Sequence, residues 1–192
     1  MSGRAVTRGR PRAGDPTQIS RVALGQIGRD GWAETTMAAI AERSGISEPT
    51  LFRYFPTKAD VLWYGMDESA QVFRDRFDQR DHTVALPLAV VDAYREMLLS
   101  DSERLSLIKV RAAIIAGDPA AAEASWRKFE EWRSLVTDLL HQAGEGSALE
   151  VRIRGAMIWA ALWSALTAWS LTEDRTPAAQ LAVARRVVAA IG

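Results

Sequence analysis

Apolar residues recur along this chain at spacings of three and four, and no stretch alternates with the period of two that a half-buried strand requires. Leu88, Val91, Tyr94 and Leu98 form one helical set, and Leu105, Ile108, Ala112 and Ile115 form another. Leu181, Ala184, Val188 and Ile191 form a third near the end. Start and stop signals fall between these sets. Asp15-Pro16 supplies an N-cap and a first-turn proline, where no intrahelical N–H is lost. Thr57 with Asp60 forms a capping box for a long helix running through Val61, Leu62, Met66, Val72 and Phe77. Pro87 opens a further helix. Gly117-Asp118-Pro119 stops one helix and starts the next, which runs to about His141 before Gly144 and Gly146 end it. Ser147 with Glu150 is a second capping box, and Thr176-Pro177 starts the last helix. The pattern predicts an all-α chain of about nine helices.

The most informative stretch is Thr35–Leu62. Thr36 is placed to cap a helix over Met37–Arg43, because its hydroxyl can accept a free first-turn N–H. Gly45 follows, where a left-handed backbone is needed and glycine adopts it cheaply. Ser47 then caps a second short helix with Pro49 in its first turn, carrying Thr50, Arg53 and Tyr54 among Leu51 and Phe55. A helix, a tight turn and a polar second helix is the geometry that lays one helix in the DNA major groove.

Residues 19–62 resemble the DNA-binding domain of the TetR family of bacterial transcription regulators. The matching pattern runs Ile19, Ala23, Gly31-Trp32, Thr35-Thr36, Ile40-Ala41, Ser44-Gly45-Ile46-Ser47, Pro49-Thr50-Leu51-Phe52, Tyr54-Phe55 and Thr57-Lys58, without a gap. Phe52 departs from it, since the family usually has tyrosine there, and with it goes any phosphate contact from that hydroxyl. The resemblance implies that Thr36, Ser47, Glu48, Thr50, Leu51, Arg53, Tyr54 and Lys58 lie at the DNA. Arg53 suits the O6 and N7 acceptors of guanine but could equally hold a phosphate, and Lys58 adds charge where helix N–H groups already favour phosphate. Glu48 faces a polyanion unfavourably, so it points aside or accepts from cytosine N4. Leu51, like Ile40, Ala41, Ile46 and Phe55, also reads as head core. The resemblance further implies a ligand chamber within the body and a homodimer paired through the last two helices.

Charge changes the picture by its distribution. The formal net charge is zero, which alone would argue against nucleic acid. Residues 1–58 nevertheless hold nine Lys and Arg against five acids, leaving an acidic remainder. This divides the chain into a flexible basic arm at 1–13, a helix-turn-helix head at 14–58, and a ligand-binding and dimerisation body at 59–192. The arm carries Arg4, Arg8, Arg10 and Arg12, and either enters a minor groove or forms a solvated leader. Cysteine is absent, which excludes disulfides and thiol chemistry and suits a reducing cytoplasm. The N-terminus lacks the apolar segment of a secretory signal. Gly155–Thr172 is uncharged for 18 residues but rich in alanine and hydroxyls, so it reads as a buried helix rather than a membrane span.

The body holds six of the seven tryptophans. Each could be ordinary core, yet Trp159 and Trp163, four apart, share a helix face and could line an apolar pocket. Candidate lining residues are Trp63, Ile108, Arg111, Ala112, Trp126, Phe129, Trp132, Trp159 and Trp163. The segment LFRYFPTKADVLW, the Trp126–Trp132 helix and the Ala/Trp-rich helix ending near Trp169 look like an actinobacterial TetR subgroup that includes mycofactocin-type regulators. That likeness implies an acyl-CoA-like effector, with Lys109 or Arg111 meeting the CoA phosphates. Small residues on the penultimate helix, including Ala156, Ala160, Ser164 and Ala168, would let a partner helix approach closely.

No GxSxG, P-loop or HExxH pattern is present, and the two histidines, His82 and His141, are isolated near helix ends. No enzyme, cofactor or metal is expected. The resulting expectation is a ligand-responsive regulator that binds a palindromic operator as a homodimer and is released by a small hydrophobic or acyl-CoA-like effector. The competing expectation is a helical carrier or scaffold for hydrophobic molecules, which leaves the head and its charge unexplained.

Overall fold

The computed structural model describes residues 14–144 and 146–190, and every regular element among them is an α-helix. In chain order these are α1 (Pro16–Asp30), α2 (Met37–Ser44), α3 (Glu48–Tyr54), α4 (Lys58–Trp63), α5 (Met66–Asp78) and α6 (Leu86–Leu99). They continue as α7 (Ser102–Gly117), α8 (Pro119–Ala124), α9 (Trp126–Gln142), α10 (Ala148–Ser170) and α11 (Ala178–Ala189). The arm at 1–13, and Ile191 of the last apolar set, lie outside the described residues.

The caps form as their residue types dictate. Asp15 accepts from Thr17 N–H, Thr36 from Ala39 N–H, and Ser47 from Thr50 N–H. Both capping boxes are complete, Thr57 with Asp60 and Ser147 with Glu150. Gly45 ends α2 with φ at 68°, in the left-handed region.

Eleven helices replace the expected nine because two of the predicted helices are broken. The one starting at Thr57 stops at Trp63, since Tyr64 is extended and Gly65 takes φ of 80°. The apolar period runs on through the break, so the sequence pattern conceals it. The one starting at Asp118 is interrupted at Ser125, whose hydroxyl donates to the Ala121 carbonyl and accepts from the Trp63 indole N–H at 2.9 Å. The second interruption is therefore tied to a tertiary hydrogen bond.

Two cores result. Ile19, Ala23, Ile40, Ala41, Leu51, Phe55 and Val61 make the head core. The body core is larger and includes Leu62, Trp63, Phe73, Tyr94, Met97, Trp132, Trp159 and Trp169. The six-residue α4 belongs to both, for Val61 faces the head and Leu62 and Trp63 face the body. Helix α1 is shared likewise. Ile19 and Ala23 enter the head core, Leu24 and Ile27 enter the body core, and Ser20 donates to the Val61 carbonyl at 2.9 Å.

In the body, α10 packs on α6, α7, α9 and α11. Its approach to α9 is close, because a Cβ added at Gly155 would stand 2.4 Å from Thr137 Oγ1 and 3.0 Å from Thr137 Cα. Among the described residues no helix is long and apolar enough to cross a membrane.

Candidate functional site

The head presents one polar helix outward. On α3, Glu48 and Arg53 are exposed, and Ser47 and Thr50 join hydroxyls at 2.8 Å across its first turn. The Arg53 guanidinium lies 5.2 Å from the centre of the exposed Tyr54 ring, which orients it without using its donors. Thr36 is exposed at the start of α2. Exposed hydroxyls and a forked guanidinium are the groups that read base edges or hold phosphate in a major groove. Phe52, 46% exposed on the same helix, was set aside in the sequence for lacking a hydroxyl; an exposed ring there suits an apolar contact with a thymine methyl group.

One expected DNA contact requires correction, and a second is already engaged within the protein. Leu51 is 0% exposed in the head core and offers nothing to a duplex. Its position in the motif reflects packing, because α3 must bury one side to be held in place. Lys58 is committed to the protein: its ammonium donates to the carbonyls of Trp32 and Thr35 and lies 4.2 Å from the centre of the Trp32 ring. Burial lowers its pKa, with the charge of Asp118 acting in the opposite sense. Lys58 thus ties α4 to the α1–α2 connection, with one of its three donors left over.

In the body, Trp63, Ile108, Arg111, Ala112, Trp132, Trp159 and Trp163 come together around one enclosed cavity, as the sequence grouped them. Tyr94, Met66 and Leu166 complete its wall and were not among the candidates. Tyr94 had appeared only as a core position in an apolar set, and nothing in its spacing marks it as lining. The indoles of Trp132 and Trp159 stack at 5.8 Å, and those of Trp159 and Trp163 at 6.4 Å. Tyr94 meets Trp132 and Trp159 edge-on at 6.2 and 6.4 Å. Phe129 stands behind this layer, edge-on to Trp63 at 5.6 Å and to Trp163 at 4.6 Å. The space among them is only about 20 Å³, so the rings nearly fill the chamber. Ligand pockets run to about 300–1,000 Å³, so any sizeable occupant must part these rings.

Two basic or aromatic candidates fall elsewhere. Trp126 is 66% exposed, since as the first residue of α9 it sits past the Ser125 break on the outer side. Lys109 donates to the carbonyls of Thr172 and Asp174 and lies 5.1 Å from the Trp169 ring centre, which fixes the α10–α11 connection.

Arg111 does reach the chamber. It is buried on α7 and donates through Nε to the Leu62 carbonyl, through Nη2 to the Tyr64 carbonyl at 3.2 Å, and through Nη1 to Met66 Sδ at 3.1 Å. Burial lowers its pKa to about 10. It holds the last turn of α4 and the α4–α5 joint, the segment shared by the two cores.

A further concave face lies along α10 and α11. Met157, Ala160, Ser164, Ala168, Val183 and Val187 line an apolar groove of about 530 Å³, with Met157, Val183 and Val187 exposed. Among the described residues no cluster of His, Cys, Asp or Glu has the arrangement of a metal site.

A helix-turn-helix head sharing a short helix with an all-α body that encloses an aromatic chamber defines the class of regulators that read DNA and sense a ligand in one chain. Residues 19–62 match the family model described as bacterial regulatory proteins, tetR family. The chain is 25% identical over 165 residues to a Mycobacterium tuberculosis protein described as a mycofactocin biosynthesis transcriptional regulator, covering 84% of this chain and 81% of that one. It is 21% identical over 164 residues to the fatty acid metabolism regulator protein of Bacillus subtilis, covering 82% and 84%. The crystal structure of Thermus thermophilus FadR, a TetR family repressor in complex with lauroyl-CoA, matches with a TM-score of 0.55 at 21% identity over 91% of this chain and 93% of that one. Residues 19–62 thus carry a TetR-type DNA-binding domain, and over more than four fifths of its length the chain is similar to bacterial transcriptional regulators.

Proposed function

We propose that the chain is a repressor that binds a palindromic operator as a homodimer and leaves it when an apolar, acyl-CoA-like effector enters the aromatic chamber. The observation that carries this reading is α4, whose six residues are packed into the head core on one side and the chamber wall on the other. An occupant that parts Trp63 from the rings around it must move α4, and α3 moves with it through Val61. The fatty acid metabolism regulator among the relatives favours an acyl chain as the occupant, as does the lauroyl-CoA in the Thermus protein.

Dimerisation uses the α10–α11 groove. Its small residues admit a second copy of the same two helices, and a two-fold pairing is the commonest way to cover such a face. The two α3 helices would then read half-sites about 34–36 Å apart. Thr36, Ser47, Thr50, Arg53 and Tyr54 carry the contacts, with Glu48 beside them. Such a regulator works in the cytoplasm at the nucleoid.

The test is to select bound fragments from genomic DNA with the purified protein, then measure affinity against salt with and without lauroyl-CoA. A palindromic site, a salt slope of several counterions and release by lauroyl-CoA support the reading. No sequence preference at any salt would refute the operator and favour a carrier of hydrophobic molecules.

A further inference from the structure

A single residue, Ser125, separates α8 from α9, and its backbone stays in the helical region with φ −90° and ψ −6°. Its side chain bonds back to the carbonyl four residues earlier, donating to Ala121 at 2.7 Å, a contact that competes with the helix ladder and bends helices. The same hydroxyl accepts from the Trp63 indole N–H at 2.9 Å. Ser125 is 0% exposed and Trp63 5%, so water cannot readily replace either partner. The indole has one donor and no acceptor, so Ser125 meets its whole hydrogen-bonding need.

Helices α8 and α9 touch α4 at its start, middle and end. At the start of α8, the Asp118 charge acts on Lys58, whose pKa burial lowers and Asp118 raises. Near the start of α9, Arg127 meets Asp60 at 3.6 Å, an exposed pair that holds weakly. Phe129 stands edge-on to Trp63 at 5.6 Å, a contact that tolerates sliding. The Trp63–Ser125 bond is both buried and directional. Trp63 also lines the aromatic chamber. Moving its ring by about an ångström takes the indole N–H beyond hydrogen-bonding distance of Ser125.

We propose that the Ser125 hydroxyl is the latch of the effector response, a positioning residue that holds α4 through the Trp63 indole and sets the effector concentration at which the operator is released. The inference rests on the reading of the chain as an effector-responsive repressor and adds the group that opposes the response. A buried N–H left unpaired costs free energy, so the bond favours the orientation seen. An effector that parts Trp63 from the surrounding rings forfeits that bond. The latch therefore weakens effector binding, and its removal strengthens it. This sign separates a latch from a residue that only supports the fold or the chamber wall.

The test measures lauroyl-CoA affinity, operator release by lauroyl-CoA and thermal unfolding on the full-length protein and its variants. Ser125→Ala removes the acceptor without adding bulk. It is expected to bind lauroyl-CoA about three- to tenfold tighter than the parent, the range of one hydrogen bond, and to release the operator at correspondingly less ligand. Operator affinity without ligand should fall by no more than the same factor. Trp63→Phe removes the donor and keeps a ring, and in that background Ser125→Ala should leave lauroyl-CoA affinity nearly unchanged. A lower Tm for Ser125→Ala with lauroyl-CoA affinity equal to the parent's, or weaker, is the mark of a purely structural role and overturns the latch. An equal gain from Ser125→Ala in the Trp63→Phe background overturns it too, because the effect would not run through the indole. In either case, release of the parent's operator by lauroyl-CoA leaves effector-responsive repression standing. Lauroyl-CoA that releases no operator from the parent overturns both.

Discussion

Replacing Trp159 by alanine tests whether the chamber is a packed core that a ligand must open. The indole is 8% exposed, stacked between Trp132 and Trp163 and met edge-on by Tyr94. A buried tryptophan withdraws about 200 Å² from water, worth roughly 5 kcal/mol at about 25 cal/mol/Å². Measured Trp→Ala losses in cores are about 3–5 kcal/mol, since neighbours relax only partly into the void. For a chain of this size that corresponds to a fall in Tm of roughly 10 °C. The void left behind joins an existing cavity of about 20 Å³ and is of indole size by construction. An apolar void of about 150 Å³ stays dry and accepts a small aromatic ligand. Thermal unfolding of Trp159→Ala with and without millimolar indole is the assay. The variant should lose about 3–5 kcal/mol and regain part of it with indole, while the parent protein should gain nothing. A loss below about 1 kcal/mol, or equal stabilisation of both proteins by indole, would refute the closed-chamber reasoning.

Four further outcomes follow from the geometry. Arg53→Ala should abolish most operator affinity with no change in Tm, whereas Leu51→Ala should cost about 2–5 kcal/mol of stability; unfolding curves and gel shifts on both variants separate the two roles. Gly155→Val should destabilise strongly, because even a Cβ at that site meets the Thr137 backbone at 3.0 Å, and Gly155→Ala should do so less; a stable valine variant would show that α9 and α10 do not approach as described. Asp101 has its pKa lowered, first by the Arg104 backbone N–H and also by that of Glu103. Its contribution is present above the unfolded aspartate value and is lost as pH falls through the lower folded one, so Tm measured down to about pH 3 should decline less steeply in Asp101→Asn. Met157→Glu together with Val187→Glu, placing charge in the α10–α11 groove, should convert the protein to monomers in sedimentation and lower operator affinity while leaving the helical content intact.

The caps and the head motif could be read from the sequence because their causes are local. A threonine or serine before a helix, a glycine after it and a carboxylate three residues on act within one turn, and Thr36, Gly45, Ser47, Thr57 and Ser147 all behave accordingly. The shared face of Trp159 and Trp163 was also legible from their helical spacing, whereas Trp126 lies elsewhere and Met66, Tyr94 and Leu166 join the lining through contacts the spacing does not reveal. What escaped was decided by groups distant in sequence. At the early end of the helix from Thr57, Arg111, nearly fifty residues later, donates to the Leu62 and Tyr64 carbonyls, and at the Ser125 break the Trp63 indole donates to the serine hydroxyl. Lys58 and Lys109 look like free cations in a sequence; both are spent on backbone carbonyls of segments that no periodicity connects to them.

These distant hydrogen bonds also bear on how, in the proposed response, a ligand in the body would act on the head. Nothing in the head core extends into the chamber, so a ligand cannot act on α3 by direct contact. The connection runs through α4, which is too short to bend and is held at both ends by cations: Lys58 anchors its start to Trp32 and Thr35, and Arg111 anchors its finish. In the proposed response, displacement of Trp63 at the second end would turn the helix about its anchored start and carry Val61 and the head core with it. A ligand shifts that equilibrium only by its difference in affinity for the two orientations. In the proposed response the aromatic stack would supply that difference, because the orientation seen leaves only about 20 Å³ among the rings.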